Sequence, residues 1–503
     1  MDEPQIVVVD LGGQYTLLIG RAIRNLGVRP TVLSPEAVAT LLQSYHPKGI
    51  ILSGGWSSIY SKDAPHVSDA IVAAHVPVFG ICLGMHSLAH TLGGRVESLS
   101  TQREFGVREF VRMAKNDPLL HDIPEKSLVL ASHGDSVTVL PRGARHTGMT
   151  QACPIASFSI PQKNLFGVQF HPECGETEYG VQIFRNFLDI CGVKKDWDPG
   201  QIITRICANV LNALPRKSRA GLLFSGGVDS TVVAAILGPV LQERLICVII
   251  DTGGLRDDEM REIRRNAVAA KSAFHVEEAK QEFFAALNGL IDGEEKRLAF
   301  QRIYGKKAQE IKDKFNISHV VQGTLVADRI GSGKVGNAAH IKTHHNVGVE
   351  SINPLGDLFK DEVRDIARFL GLPDFISERM PFPGPGLYIR IVGIPVTEET
   401  LGIVRWADAK VREIISTSGI EKDISQIIVG LTVKTTGIKG DCPVNGYTVV
   451  VRAVQSTDFM TGAGYEIPSP IRKVIMNTLT AHDQIARVWF DEMSRPPSTF
   501  EWQ

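Results

Sequence analysis

The stretch Leu223-Phe224-Ser225-Gly226-Gly227-Val228-Asp229-Ser230-Thr231 decides how this chain is read. Apolar residues run into two adjacent glycines, then Asp, Ser and Thr, and then the helical run Val232 to Leu237. The pattern predicts a strand, a tight turn and a helix N-terminus. Paired glycines let backbone N–H groups approach an anion closely, and the helix start adds its dipole. The hydroxyls of Ser225, Ser230 and Thr231 lie in the same turn. Ser225, Gly226, Gly227, Val228, Asp229, Ser230 and Thr231 are therefore expected to cradle a phosphate, or the pyrophosphate leaving from ATP. The loop is not of the Walker A type, because no Lys follows the second Gly. An ordinary strand-to-helix turn is the alternative, although ligands of α/β sheets collect at such turns.

At 503 residues the chain exceeds one hydrophobic core, and roughly two to four domains are expected. Hydrophobic residues make up 43% and charged residues 22%, an ordinary balance for a soluble globular protein. A net charge of −1 supplies no field for nucleic acid or an anionic membrane, so neither is expected as a partner. The seven Cys form no C-x-x-C pair and no Cys/His zinc spacing, which argues for a reducing compartment. Met1-Asp2-Glu3-Pro4 is acidic and leads straight into a strand, unlike a signal peptide. The long apolar stretch from Leu222 to Leu241 carries Asp229 and several glycines and does not read as a membrane span. A cytoplasmic, soluble protein is expected.

Upstream, residues 5–10, 29–33, 49–52 and 76–81 are short apolar runs alternating with helical stretches. That alternation predicts an open, mostly parallel sheet. The last run continues into Gly80-Ile81-Cys82-Leu83-Gly84 and a helix. Glycines flanking a residue at such a corner hold a nucleophile in a strained, exposed turn, and the helix N-terminus favours a thiolate. Much later comes Phe166-Gly167-Val168-Gln169-Phe170-His171-Pro172-Glu173. His171 ends an apolar strand and Glu173 follows two residues on, so a base and an acceptor for it are in hand.

These residues resemble the class I glutamine amidotransferases over roughly Ile6 to Cys191. The resemblance implies Cys82 as nucleophile, His171 as base and Glu173 as its acceptor. Ser53-Gly54-Gly55 looks like the oxyanion loop, with the amides of Gly55 and Leu83 as donors. Ser132-His133-Gly134-Asp135 matches a segment that shapes the glutamine pocket. The chain departs from the family at His86, where a Gln contacts substrate glutamine, and at Trp56, where Pro is common. Cys174-Gly175-Glu176-Thr177 stands where Val-Thr-His-Thr is common.

Residues 193–200 are polar, end in Pro-Gly and mark a boundary. A helix is expected from Ile202 to Leu214. The second sheet continues through residues 244–250 to Asp251, expected near adenosine, with a plain strand-end turn as the alternative. Residues 318–324 end in Gln322-Gly323-Thr324. Together with the Ser225–Ser230 motif, this resembles the ATP pyrophosphatase family, and Gly323 is carried over as an ATP contact. Residues 331–339 are glycine-rich and precede Ile341-Lys342, which suggests a lid whose Lys342 neutralises phosphate. His340, His344 and His345 could instead bind a metal, though the closest carboxylate is Glu350. Residues 354–364 read as a turn and a capped helix with a structural role.

Met380-Pro381-Phe382-Pro383-Gly384-Pro385-Gly386-Leu387 cannot be helical and reads as a stiff hinge and second boundary. Strands at residues 426–433, 447–454 and 486–490 and a helix at 471–479 follow. This sheet is short enough that pairing with another copy is expected. The predicted architecture is two open, mostly parallel α/β sheets plus a C-terminal α+β domain, divided as 1–195, 199–385 and 386–503.

Across the whole chain the sequence resembles the glutamine-hydrolysing GMP synthetase family. The specific stretches are Gln322–Thr324, Ile341-Lys342 with His344–Gly348, Pro381–Leu387 with Ile389-Arg390, Asp458–Thr461, Pro496-Pro497 and Glu501-Trp502. The resemblance implies ammonia release from glutamine at Cys82. It implies adenylylation of xanthosine 5′-monophosphate by ATP, release of pyrophosphate and displacement of AMP to give GMP. Mg²⁺ on Asp229 and a homodimer through residues 386–503 are implied too. Arg297, Asp441, Arg452, Arg495 and Glu501 carry over as nucleotide contacts. Arg495 stands where the family has Lys, Val326–Gly331 loses a Glu, and Cys442–Asn445 lacks a basic residue and a Tyr. A paralogue acting on a related purine nucleotide and a non-catalytic regulator are the alternatives. A tRNA-thiolating enzyme is disfavoured by the neutral charge and the missing Cys pairs.

Overall fold

The computed structural model describes residues 4–61, 67, 69–98, 103–325, 351–456, 462–495 and 498–503. The chain divides after Gln201 into two compact units. The expected lid and Lys342 lie outside the described residues, as do His340, His344, His345, Asp458–Thr461 and Pro496-Pro497.

The first unit is built on strands β1 (Ile6–Val9), β2 (Pro30–Leu33), β3 (Gly49–Leu52), β4 (Val78–Ile81), β5 (Arg95–Glu97), β6 (Glu104–Arg112), β7 (Lys126–His133), β8 (Ser136–Val139), β9 (Arg145–Thr150), β10 (Ser157–Ile160) and β11 (Leu165–Val168). The large sheet runs β2-β1-β3-β4-β11-β10-β9-β6-β7. Its first five strands are mutually parallel. Ile6, Val8, Ile51, Phe79 and Ile81 enter one core, while Val7, Val9, Ile50, Leu52 and Val78 enter the other. Helices cover both faces, so these strands are continuously apolar rather than alternating. The antiparallel half, β10-β9-β6-β7, was not legible in the sequence. In β7 buried and exposed residues alternate, and the polar Ser132 and His133 interrupt any apolar signature.

In the second unit, strands β12 (Arg219–Leu223), β13 (Leu245–Asp251), β14 (Phe274–Glu278), β15 (Ile317–Val321) and β16 (Ser351–Ile352) form a parallel sheet ordered β14-β13-β12-β15-β16. Strand order reverses between β12 and β15, the position where open α/β sheets hold ligands. A further sheet contains the long antiparallel pair β17 (Gln426–Lys439) and β18 (Cys442–Gln455), the short β19 (Ala463–Gly464), and β20 (Ile485–Asp491) parallel to β18. The β17–β18 hairpin extends beyond the expected 426–433 and 447–454 because its outer part is paired but largely exposed and carries few apolar residues.

The stretch read as a stiff hinge is half-buried over Met380–Pro383, exposed at Gly384 and buried from Pro385 onward. Residues 381–385 are non-helical, and Gly386–Arg390 forms one turn of 3-10 helix with every residue buried. Leu387 and Tyr388 share a core with Phe283 and Phe300 on one side and Val404 and Val429 on the other. Gly386 has φ +65°, and a Cβ there would lie 2.2 Å from the Gly254 carbonyl oxygen, so this contact demands glycine.

Arg390 is completely buried, with Nη1 donating to Asp408 at 2.9 Å and Nη2 to Glu501 at 3.1 Å. Arg256 joins Asp408 at 3.1 Å. Removing one partner strands a buried charge. Glu501→Ala is expected to destabilise the fold by about 3–5 kcal/mol, measured by denaturant unfolding.

Candidate active sites

Two centres emerge, one at the C-terminal strand edge of each parallel sheet. In the first unit β4 and β11 pair in register, Ile81 opposite Val168, so Cys82 and the segment leading to His171 leave the sheet side by side. The Cys82 amide donates to Val168 O at 2.8 Å and fixes this junction. Cys82 then caps the Leu83–Thr91 helix with φ +49° and ψ −107°. A non-glycine residue seldom adopts positive φ, and here it turns the thiol toward His171. The glycines around it are tightly packed, and Gly80 and Gly84 leave no room for a side chain. A Cβ on Gly80 would meet Gly84 at 2.6 Å, one on Gly84 would meet Leu52 O at 2.4 Å, and one on Gly54 would meet His171 Cε1 at 3.0 Å.

His171 Nδ1 donates to Glu173 Oε1 at 2.7 Å, leaving Nε2 for Cys82. Glu173 is sealed from solvent, and its second oxygen has no hydrogen-bond partner. Burial opposes a charge on His171, but Glu173 and Cys82 outweigh it and push its pKa up to about 10. That lies above the ordinary 6.5, so folding favours the protonated ring. The contribution is fully present below pH 6.5 and is lost as pH rises through about 10. Glu173→Gln should move the alkaline limb of glutamine hydrolysis down by at least about one pH unit. A pH profile of glutamate release checks this, and an unmoved limb would detach that ionisation from His171.

The expected oxyanion donors are adjacent. A Cβ on Gly55 would strike Leu83 Cδ2 at 2.3 Å, so the loop and the helix start are in contact. Gly84 N is taken by Ser53 O at 3.1 Å, while Leu83 N is the first amide of the helix and has no partner within it. Gln169 carries a role the sequence reading did not give it. Its side-chain nitrogen lies 3.8 Å from Cys82 Sγ, and its oxygen accepts from His86 Nε2 at 2.7 Å. Spacing offered a signal, since residues 169 and 171 lie on one side of an extended segment. His86, a departure from the family, is therefore buried against Gln169. Burial pulls its pKa down to about 4, so the ring is neutral and serves as a donor.

In the second unit the cradle follows β12 at the switch point. Gly226 has φ +71°, and a Cβ there would lie 2.7 Å from Ile263. Asn266 donates to Gly226 O at 2.8 Å and Arg379 donates to the same oxygen, so the turn is held from outside. Arg379 is itself paired with Glu259 and Glu262. Thr231 Oγ1 donates to Gly227 O at 2.8 Å, and Ser225 and Ser230 hydroxyls lie 3.2 Å apart. Val228 begins the Val228–Leu241 helix. Gly323, after β15, packs so closely that a Cβ would meet Asp229 at 3.0 Å. The cradle residues and Gly323 are thus brought together as expected.

Lys360 is the residue the sequence reading passed over, because it opens a helix taken as structural. Its ammonium reaches both Asp229 carboxylate oxygens, at 2.9 and 2.7 Å. Asp251 is less open than expected: its carboxylate accepts from Gly253 N at 3.1 Å and pairs with Lys280 at 3.2 Å.

The expected nucleotide contacts separate. Arg297 and Glu501 are both buried and close enough to interact electrostatically. Arg452 is committed to the C-terminal segment, donating to Met493 O at 2.6 Å and to Thr499 O. Arg495 packs over the Phe500 ring at 4.8 Å. Asp441 is exposed in the β17–β18 turn with φ +63°. It lies about ten residues along the strand from Arg452, on the order of 30 Å. A single chain therefore does not bring Asp441 to the others.

The class I glutamine amidotransferase family model matches residues 7–191, the NAD synthase model 202–385 and the GMP synthase C-terminal domain model 413–502. The chain is 38% identical over 522 residues to the GMP synthase [glutamine-hydrolyzing] of Caldicellulosiruptor saccharolyticus, covering 100% of both. It belongs to the GMP synthase family. The Streptomyces coelicolor member is 38% identical over 519 residues, covering 99% of this chain and 98% of that one. The Enterococcus faecalis member is 38% identical over 515 residues, covering 99% and 98%. Both centres thus sit within the segments that the amidotransferase and NAD synthase models match.

Proposed function

We propose that this chain is a glutamine-hydrolysing GMP synthase: it aminates xanthosine 5′-monophosphate with ammonia from glutamine, consuming ATP. The supporting observation is that one chain, aligned end to end with such enzymes, holds a Cys82–His171–Glu173 triad and a phosphate cradle at a switch point. Cys82 attacks the side-chain amide of glutamine. His171 already carries the thiol's proton as an imidazolium and passes it to the departing ammonia, while the amides of Gly55 and Leu83 receive the oxyanion. Water then releases glutamate from the thioester.

In the second unit the C2 oxygen of the purine attacks the α-phosphate of ATP, and pyrophosphate leaves in the Ser225–Thr231 cradle beside Gly323. Ammonia adds at C2 and AMP departs with the oxygen. The activation is needed because a carbonyl oxygen is a poor leaving group and AMP a good one. Asp229 is the carboxylate of the cradle and would hold a cation by exchanging its contact with the Lys360 ammonium. Mg²⁺ arriving with ATP would offset the charge of the departing pyrophosphate there. Lys342 is proposed as a second phosphate partner and Asp251 as the residue bordering adenosine.

Arg297, Arg495 and Glu501 are proposed to face the nucleotide, with Arg452 shaping the segment that carries Glu501. Asp441 would contribute from a second copy. Exposed Val433 and Ile438 on β17 and Trp489 on β20 support a homodimer through residues 386–503. The proposed domains are 1–195, 199–385 and 386–503. All seven cysteines are free, which supports a cytoplasmic setting, and no described helix is long and apolar enough to cross a membrane. Product analysis tests the reading: xanthosine 5′-monophosphate, ATP and either nitrogen donor should yield GMP, AMP and pyrophosphate. Absence of AMP and pyrophosphate rejects it. AMP release with a different purine nucleotide alone would favour the paralogue.

A further inference from the structure

Behind the glutamine site, three chemically distinct side chains converge from separate parts of the sheet. Glu104 opens β6, His133 closes β7 and Cys153 follows β9. All three are buried, and their ligand atoms lie within 4.8 Å of one another. His133 Nδ1 faces the Asp135 carbonyl oxygen at 3.0 Å, and Nε2 faces Glu104 Oε2 at 3.2 Å. Both ring nitrogens meet oxygen atoms, so the imidazole is held on two sides and shares a proton with the carboxylate. Thr150 also donates to Glu104 Oε2, at 2.7 Å. Glu104 Oε1 has no hydrogen-bond partner despite its burial, and Arg108 Nε approaches it only to 3.7 Å. The Cys153 thiol has a weak contact, 3.8 Å from Ser136 Oγ.

We propose that Glu104, His133 and Cys153 form a site for a thiophilic divalent cation of the Zn²⁺ class. Imidazole, thiolate and carboxylate are a zinc donor set. Bond lengths of about 2.0–2.3 Å place tetrahedral donors roughly 3.3–3.8 Å apart. The His133–Glu104 pair is already that close, and the thiol, within 4.8 Å of both, has at most about 1 Å to close. Entry of the ion releases two protons, one from the His133–Glu104 hydrogen bond and one from the Cys153 thiol. Before, the imidazole–carboxylate pair with its shared proton and the neutral thiol sum to zero charge. Afterwards a dication, a carboxylate, a thiolate and a neutral imidazole also sum to zero. The exchange therefore leaves no net charge in the core, whereas a lone Cys153 thiolate would, and burial pushes that thiol up to about 12. The Nδ1–H bond to Asp135 O orients the ring as second-shell partners of metal-bound imidazoles do.

The site adjoins the nucleophile. Ser132 precedes His133, and its carbonyl oxygen lies 3.8 Å from Cys82 Sγ. Drawing His133 toward an ion shifts that oxygen, so occupancy is expected to depress glutamine use and spare ammonia use. This consequence rests on the function proposed above; the binding itself does not.

The test uses the full chain, stripped with a chelator and titrated with Cd²⁺, read by thiolate-to-metal absorption and stoichiometry. The parent and Cys82→Ala should each bind one equivalent with the thiolate band. Cys153→Ala should lose the band and bind at least about 100-fold more weakly, beyond the loss caused by removing an outer-shell partner. Glu104→Gln keeps the thiol and should still weaken binding by at least about 10-fold, which decides the matter if thermal melting shows Cys153→Ala to be unfolded. A band that persists in Cys153→Ala and vanishes in Cys82→Ala places the ion on the nucleophile and overturns the proposal. Absence of binding by the parent, or unchanged affinity in Glu104→Gln, overturns it as well. A failure of GMP formation would leave the absorption result standing.

Discussion

Cys82→Ala is expected to lower glutamine-supported amination by at least about 10³-fold, with ammonia-supported amination essentially unchanged. The substitution removes only Sγ, and alanine retains the Cβ that the parent already accommodates at φ +49°. The corner therefore keeps its shape while the nucleophile disappears. The nearby Cys153 thiol does not substitute for it, because burial pushes it up to about 12. Parallel assays of GMP formation with glutamine and with ammonium salts decide the point. Glutamine use that survives would show that the nucleophile lies elsewhere. Equal loss with both donors, at unchanged melting temperature, would show that Cys82 serves the synthetase step instead.

Gly226→Ala is expected to cut GMP formation by at least about 10²-fold with both donors, the scale of losing one preorganised anion contact. The new Cβ would lie 2.7 Å from Ile263 Cγ1 and 2.9 Å from Ile263 Cα, with φ at +71°. Backbone cannot yield as a flexible side chain does, and the Gly226 carbonyl is pinned by Asn266 and Arg379. The turn must shift, and its amides leave the position where pyrophosphate departs. Gly289→Ala supplies the control, since Gly289 has φ +83° but nothing within 4 Å of its added Cβ. It carries a comparable backbone cost, of about 1 kcal/mol, without disturbing any anion site. AMP and pyrophosphate release should fall in the first variant and persist in the second. Unimpaired release from Gly226→Ala would remove the cradle from the mechanism.

Much of the chemistry was legible in local sequence because its physical requirements are local. A nucleophile corner needs glycine on both sides, as at Gly80 and Gly84. A phosphate cradle needs a strand, close-packed glycines and a helix start, as at Leu223 to Thr231. Parallel strands buried on both faces read as plain apolar runs, so β1, β3 and β4 were visible.

Residues whose roles depend on a distant partner were not visible in the same way. Lys360 read as a helix residue because Asp229 lies far from it in sequence and is met only through the fold. Gln169 gained its position from His86, and Arg379 from the Gly226 carbonyl. The Pro-rich stretch before Gly386 looked like a hinge because proline and glycine exclude an α-helix wherever they stand. Only packing shows that Leu387 and Tyr388 fill a core shared by both flanking segments. Arg452 and Glu501 carried over as nucleotide contacts from the family resemblance, which does not show what else they hold; tertiary structure ties Arg452 to backbone carbonyls and Glu501 to Arg390. By itself the sequence determined which chemistry each strand end could perform, since glycine geometry and donor type are properties of a few consecutive residues. Tertiary structure alone decided which charges are spent on holding the fold and which face the sites, because burial and pairing arise between residues far apart in the chain.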